Sequence, residues 1–147
     1  MTSIALPLQL LHPQAKAPAY AHTDDAGLDL RTIEEIILKP FERKLIPTGI
    51  AIAIPSGFAG FVQPRSGMAM KHGLSLINTP GLIDANYRGE ILVPAVNLDP
   101  KEPIHIYPGA RIAQLVILTI AHADIKVVAE LSVSERGTSG FGSSGTQ

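Results

Sequence analysis

Glycine and proline punctuate this sequence at short intervals from one end to the other. The 147 residues include 13 glycines and 12 prolines, and the segments between them are short and rich in Ile, Leu and Val. Both residues are disfavoured inside helices and favoured in turns. Many short strands separated by turns are typical of a sandwich, a jelly roll or a barrel, so we predict an all-β, jelly-roll-like fold. The segments predicted as strands are 5–11, 34–40, 43–55, 57–64, 89–97, 103–108, 111–121 and 125–130.

Residues 66–72 (SGMAMKH) are the best candidate for a helix in this strand-rich sequence. Ser66 is a plausible N-cap, and Gly73 is a residue type that commonly ends a helix. The amide groups at the start of such a helix can hold an anion. We therefore predict one short helix, with its first turn near a ligand.

A single β domain is predicted for residues 1–133, followed by a flexible arm at 134–147. A chain of this length is about one domain, and no internal repeat or second compositional region is visible. From Ser132 onward the sequence is rich in Gly and Ser and has almost nothing apolar to bury. This composition is typical of a mobile segment.

The charge and composition exclude several classes of function. Lys and Arg number 12 and Asp and Glu number 13, for a net charge of -1, so we expect neither nucleic acid nor a membrane as a partner. Without cysteine there is no disulfide framework or thiolate zinc site, and the five histidines lack metal-ligand spacing. We see neither a signal peptide nor an apolar run of about 18 residues. We therefore expect a soluble, cytoplasmic protein.

Two short segments carry residue types suited to holding phosphate. Arg65, Ser66 and Gly67 combine a planar cationic fork, a hydroxyl group and a residue that lets the backbone approach a ligand closely. Arg111 and Gln114 stand at the start of an otherwise apolar strand, where an arginine must find a partner or reach solvent. The structural alternatives are a turn that leads into a helix and a salt bridge at a strand edge.

Two carboxylates stand in apolar surroundings. Asp84 falls between two apolar runs with Tyr87 three residues later, and a carboxylate held in a hairpin can deprotonate an attacking water. An Asp that only closes the turn is the alternative. Asp29 interrupts the apolar alternation of residues 26–32, so it needs a cation or a group of donors. A hard cation bridged to phosphates through water would satisfy it.

The Gly/Ser-rich end of the chain contains one aromatic residue, Phe141, which follows Arg136. A Phe in such a tract can cap a flat base while the arginine closes on a terminal phosphate, as a lid does. The alternative is a linker in which the Phe is incidental. The spacing of Arg, Phe and Gly favours the lid.

Read in order, five segments resemble the five motifs of the trimeric dUTPase family. They are residues 26–32 (AGLDLRT), 64–73 (PRSGMAMKHG), 78–90 (NTPGLIDANYRGE), 109–118 (GARIAQLVIL) and 136–145 (RGTSGFGSSG). The resemblance implies a jelly-roll-like homotrimer whose active sites lie at subunit boundaries and are closed by the C-terminal arm of a neighbouring chain. It further implies Mg²⁺-assisted hydrolysis of dUTP to dUMP and pyrophosphate, which limits uracil in DNA and supplies dUMP for thymidylate synthesis.

The resemblance also implies roles in the phosphate and metal sites. Asp84 matches the Asp that activates the water attacking the α-phosphorus, and Ser66 matches the residue that contacts the α/β bridge. Arg65 and Gln114 match groups that hold the phosphates. Asp29 matches the Asp that holds magnesium through water, while the phosphates coordinate the metal itself. The remaining residues predicted to bind the phosphates are Gly67 and Arg111.

The same resemblance implies a nucleoside site. Backbone groups of the hairpin mimic a pairing edge for uracil, Tyr87 supports the deoxyribose, and Asn78 orients a water near the base. In the arm, Arg136 matches a phosphate clamp and Phe141 a base-stacking residue. The substrate-binding residues predicted in the hairpin and the arm are Asn78, Leu82, Ile83, Asp84, Tyr87, Leu92, Arg136, Phe141, Gly142 and Ser143.

Two other functions remain open at this point. The dCTP deaminases share the fold and resemble the region around Asp84, and some members are bifunctional. That branch usually has a second Ser after Arg-Ser and a catalytic Glu on the following strand, where this chain has Gly67 and Pro94. The other alternative is a non-catalytic trimer that binds a deoxynucleotide and regulates a partner.

Overall fold

The computed structural model describes residues 3–134 and 137–138. The predicted all-β fold is confirmed, because this part of the chain contains ten strands and one short helix. In chain order the elements are β1 (Leu8–Leu10), β2 (Leu28–Arg31), β3 (Ile36–Leu38), β4 (Arg43–Ile52), β5 (Phe58–Gln63), α1 (Ser66–His72), β6 (Leu74–Leu76), β7 (Gly81–Ile83), β8 (Glu90–Asn97), β9 (Ile104–Ile106) and β10 (Arg111–Thr119).

The strands form two four-stranded sheets and a two-stranded ribbon, in a jelly-roll-like arrangement. The first sheet has the order β1-β4-β8-β6, the second has the order β2-β10-β5-β7, and the ribbon pairs β3 with β9. In β8, Ile91, Val93 and Ala95 are buried, while the residues between them are more exposed. This alternation places one face of the strand toward the core. Buried side chains from both sheets and the ribbon form a single hydrophobic cluster.

Seven of the eight segments predicted as strands contain a strand, but the prediction for 125–130 is wrong. Its apolar side chains are exposed, at 81% for Ile125 and 96% for Val127, as is Leu131 at 88%. A β-strand needs a partner that supplies backbone hydrogen bonds, and here the segment pairs with no described strand of its own chain. An apolar segment is therefore left open to solvent.

The predicted helix is confirmed, but Ser66 is not its N-cap. Arg65 occupies that position without a capping bond from its side chain, and Ser66 is the first helical residue. Gly73 ends the helix as predicted, with a φ of 70° and an N–H that donates to the Ala69 carbonyl oxygen at 3.0 Å. The Ser66 hydroxyl is therefore not used to cap the helix.

The predicted arm lies almost wholly outside the described residues, which include Ser134, Gly137 and Thr138 from it. The domain boundary at residue 133 thus stays a prediction. Within the described ranges, no helix is long and apolar enough to cross a membrane.

Candidate active site

The first candidate site is a cleft of about 350 Å³ at one end of the second sheet. Strand register brings polar side chains together there, because Gln114 of β10 lies opposite both Asp29 of β2 and Gln63 of β5. The turn from β5 into α1 adds Arg65 and Ser66 to the same wall. We call this feature the arginine cleft, lined among others by Asp29, Gln63, Arg65, Ser66, Gly67 and Gln114.

Asp29 contacts two arginines in this cleft. Its Oδ1 lies 2.8 Å from Nε of Arg65, and its Oδ2 lies 2.9 Å from a terminal nitrogen of Arg111. The Asp29 side chain is only 13% exposed, and its backbone N–H donates to the Ala19 carbonyl oxygen at 3.0 Å. Two guanidinium groups thus supply positive charge beside this carboxylate.

The position of the Gln114 side chain depends on a hydrogen bond and on the space beside a glycine. Its Nε2 donates to the carbonyl oxygen of Pro64 at 3.0 Å, immediately before Arg65. A Cβ built on Gly27 would lie 2.6 Å from Oε1 of Gln114, closer than real contacts allow. Gly27 therefore leaves the room that lets Gln114 brace the turn between β5 and α1.

A second recess of about 240 Å³ lies between β7 and β8. Its wall combines the apolar side chains of Leu82, Ile83 and Leu92 with polar groups, and the exposed carboxylate of Asp84 stands at the end of β7. Asn78 lies beside the start of β7, where its amide nitrogen would be 3.1 Å from a Cβ built on Gly81. We call this feature the hairpin recess, lined by Leu82, Ile83, Asp84, Tyr87, Glu90 and Leu92.

Hydrogen bonds fix the ring of Tyr87 and the adjacent strands. The Tyr87 hydroxyl donates to the Glu90 carbonyl oxygen at 2.9 Å. A Cβ on Gly89 would lie 2.5 Å from that hydroxyl, so glycine permits the ring to fold back. The Glu90 carboxylate in turn accepts the Gly49 N–H at 2.7 Å, where the β4 register shifts. Nearby, the Thr48 hydroxyl donates to the Ile91 carbonyl oxygen at 2.6 Å.

The cleft and the recess lie toward opposite ends of the second sheet. Gln63 of β5 pairs with Gln114 in the cleft, whereas Gly60 pairs with Ile83 beside the recess. These two β5 residues are separated by about 10 Å along the strand. Because β7 is antiparallel to β5, the chain at Asp84 continues away from Gln63.

The structure groups most of the predicted site residues. The cleft contains Asp29, Arg65, Ser66, Gly67 and Gln114, with Arg111 joined to it through Asp29, and the recess contains Leu82, Ile83, Asp84, Tyr87 and Leu92. The predicted arm residues Arg136, Phe141, Gly142 and Ser143 lie outside the described residues.

Sequence reasoning missed Glu90 and Gln63. Each lies on a strand and lines one of the two features. The sequence did contain a signal for both residues, because each is a polar side chain at one end of an apolar run. Across residues 3–134 and 137–138, no group of three or more His, Cys, Asp or Glu side chains could hold a metal by itself.

Comparison with known proteins gives a consistent result. The dUTPase family model matches residues 13–145. The chain is 50% identical over 143 residues to the deoxyuridine 5'-triphosphate nucleotidohydrolase of Thermobifida fusca, covering 97% of this chain and 80% of that protein. It is 53% identical over 126 residues to the Bifidobacterium longum protein of the same name, covering 86% and 80%.

Solved structures agree with these sequence matches. Staphylococcus bacteriophage 80alpha dUTPase with dUpNHpp has a TM-score of 0.89 and 36% identity, and the match covers 97% of this chain and 99% of that one. A mutant dUTPase from phage phi11 of S. aureus, whose structure reveals the coordination of a structural Mg(II) ion, has a TM-score of 0.80 and 30% identity. That match covers 86% and 98% of the two chains.

Proposed function

The chain belongs to the dUTPase family and is a dUTP nucleotidohydrolase, and we propose that it forms dUMP and pyrophosphate through a water activated by Asp84. One observation carries this mechanism: the exposed Asp84 carboxylate lines a recess together with Tyr87 and the apolar side chains of the hairpin. A general base must lie within hydrogen-bond reach of the water it deprotonates. With a nucleoside in the recess, Asp84 would aim that water at the α-phosphorus.

The hairpin recess is the proposed nucleoside site. Because β7 is an edge strand, its outer backbone groups do not pair within the sheet and can meet the pairing edge of uracil. Cytosine would present donors and acceptors in the wrong order, and the methyl group of thymine would overfill the space. Leu82, Ile83 and Leu92 supply apolar contact, and Asn78 is assigned to a water near the base. Tyr87 would support deoxyribose, where a 2'-hydroxyl clashes.

The arginine cleft is the proposed phosphate site. A guanidinium carries five N–H donors in a fixed fork, which suits phosphate oxygens. Arg65 and Arg111 supply such forks, and the Ser66 hydroxyl, which does not cap the helix, is assigned to the α/β bridge. A Cβ built on Gly67 would meet nothing within 4 Å, so this position is open to a ligand. Gln114 would hold the phosphates or the turn that carries Arg65.

We propose that the enzyme is a homotrimer whose sites lie at subunit boundaries. The cleft and the recess lie toward opposite ends of one sheet, so one bound dUTP would contact the recess of one copy and the cleft of another. The exposed apolar segment around Ile125 and Val127 also suits a neighbouring copy. The arm, with Arg136 and Phe141, would close the site from a further chain.

The proposed cofactor is Mg²⁺. Magnesium keeps several waters and binds through few carboxylates together with substrate phosphates. The cleft is compatible with this preference, because it offers the carboxylate of Asp29 next to the proposed position of the phosphates. Asp29 would hold the ion through water, and the ion, when bound, would offset charge on the leaving pyrophosphate. A chain without cysteine also agrees with the proposed cytoplasmic location.

The test is release of pyrophosphate from dUTP, dCTP, dTTP and UTP, with Mg²⁺ and with EDTA. We expect release from dUTP with Mg²⁺ and little from the other three nucleotides. Ammonia from dCTP would instead assign a deaminase or a bifunctional enzyme. Binding of dUTP without turnover would assign a regulatory module. Analytical ultracentrifugation of the same sample checks the trimer.

A further inference from the structure

We propose that Asp29 is a positioning residue that orients Arg65 and Arg111 for the substrate phosphates before any metal binds. The inference rests on the proposed function, because it takes the arginine cleft as the phosphate site. It differs from the metal role, because it concerns contacts made by protein side chains alone.

The three charged groups come from separate elements. Asp29 lies in β2, Arg65 immediately precedes α1, and Arg111 begins β10. Each carboxylate oxygen contacts a different guanidinium, at 2.8 Å to Arg65 and 2.9 Å to Arg111. The Asp29 carboxylate therefore sets the separation of the two guanidinium groups. These groups are distant in sequence, and the folding of the sheet brings them together.

Asp29 is suited to act as a fixed point. It is mostly buried, its N–H bonds to the Ala19 carbonyl oxygen, and it lies opposite Gln114 in the β2–β10 ladder. The arginine side chains are more exposed, at 26% for Arg65 and 41% for Arg111. A flexible side chain loses conformational freedom when it binds a ligand, and prior ordering reduces that loss.

The ion pairs leave each arginine able to bind an anion. The contact with Asp29 engages one nitrogen of each guanidinium, which carries five N–H donors in total. The cluster has two positive charges and one negative charge, so it keeps a net positive charge. A triphosphate would therefore meet two pre-oriented forks.

Replacing Asp29 distinguishes two explanations. An effect on the orientation of the arginines and an effect on charge alone change the strength of anion binding in opposite directions. Removing a negative charge from an anion site strengthens anion binding if only Coulomb attraction changes. Removing the residue that orders two arginines weakens anion binding, because their ordering must then accompany ligand binding. Asp29→Asn keeps the size of the side chain but removes its charge and replaces one acceptor oxygen with a donor. Both ion pairs are therefore lost, and only one arginine can keep a hydrogen bond to the side chain.

The experiment is calorimetric titration of the full chain with dUpNHpp in EDTA. We expect Asp29→Asn to weaken metal-free binding about tenfold relative to the unsubstituted protein. Asp25→Asn is the matched control, because Asp25 lines the same cleft but contacts the His22 N–H rather than an arginine. That control removes one negative charge from the cleft without releasing an arginine, so it should bind dUpNHpp more tightly than the unsubstituted protein.

A second variant tests whether Asp29 acts through Arg111. Arg111→Gln should also weaken metal-free binding, and the effects of the two substitutions should be less than additive, because both remove the contact between Asp29 and Arg111. Metal-free binding by Asp29→Asn that equals or exceeds that of the unsubstituted protein overturns the inference. So does failure of the unsubstituted protein to bind without metal. Hydrolysis of dUTP with Mg²⁺ decides the proposed function separately.

Discussion

The hydroxyl of Tyr87 donates a hydrogen bond to the backbone carbonyl oxygen of Glu90 at 2.9 Å. The carboxylate of the same Glu90 accepts the N–H of Gly49 from the neighbouring strand. One wall of the hairpin recess is thus tied to an irregular part of β4. Gly49 has a φ of 69° and is buried, so its N–H depends on a protein acceptor.

Glu90→Ala should lower both stability and sugar selectivity. The substitution leaves the buried Gly49 N–H unpaired, which costs about 1–3 kcal/mol. It also loosens the strand segment that holds Tyr87, so we expect the preference for dUTP over UTP in kcat/KM to fall roughly tenfold. Thermal melting and kinetics with both nucleotides measure these effects.

Two controls separate the effects of Glu90→Ala. Glu90→Gln keeps an oxygen acceptor and should retain most of the selectivity. Thr48→Val removes the neighbouring bond to the Ile91 carbonyl oxygen, so it should lower the melting temperature without changing the UTP preference. Equal loss of selectivity in Thr48→Val and Glu90→Ala would refute a specific role for Glu90.

Asp84→Asn should reduce turnover by about 10²-fold or more while dUpNHpp binding stays largely intact. Asparagine has the same size but cannot take the proton of the attacking water. Single-turnover kinetics and calorimetry measure the two effects. Asn86→Ala, in the same exposed turn, is the control and should leave turnover unchanged. Normal turnover by Asp84→Asn would remove Asp84 from the role of base.

Gly27→Ala should raise KM for dUTP and lower kcat/KM by about tenfold, because the new Cβ displaces the Gln114 amide from its place against Pro64. The substitution should have little further effect in a Gln114→Ala background, where the contact with the amide is absent and only the 3.2 Å contact with the Cβ of residue 114 remains. Steady-state kinetics of the two single variants and the double variant measure the coupling. Full additivity would contradict this explanation.

A chain that ends after Val133 should lose most of its turnover and little of its thermal stability. The residues removed are mainly Gly and Ser, but they include Arg136 and Phe141, which are assigned to closing the site. A chain that ends after Gly145 keeps both residues and should remain active. A large fall in the melting temperature of the shorter chain would instead indicate that the arm stabilises the folded protein.

The positions of most strands could be predicted from the local pattern of apolar residues, but the grouping of the site residues could not. Alternating Ile91, Val93 and Ala95 mark a half-buried strand in any context, and β8 forms as predicted. The 125–130 segment has the same residue types but pairs with none of the described strands of its own chain, which no local pattern reveals. The pairing of Asp29 with Arg111 likewise depends on the register of β2 against β10, across 82 residues of sequence.

The placement of the cleft and the recess toward opposite ends of one sheet predicts that certain pairs of inactive variants can restore activity to each other. In the proposed trimer, a chain inactivated at Asp84 and a chain inactivated at Arg65 carry their defects in different halves of a shared site. In mixed assemblies, some sites receive an intact half from each parent, so two inactive proteins should complement each other when they are refolded together.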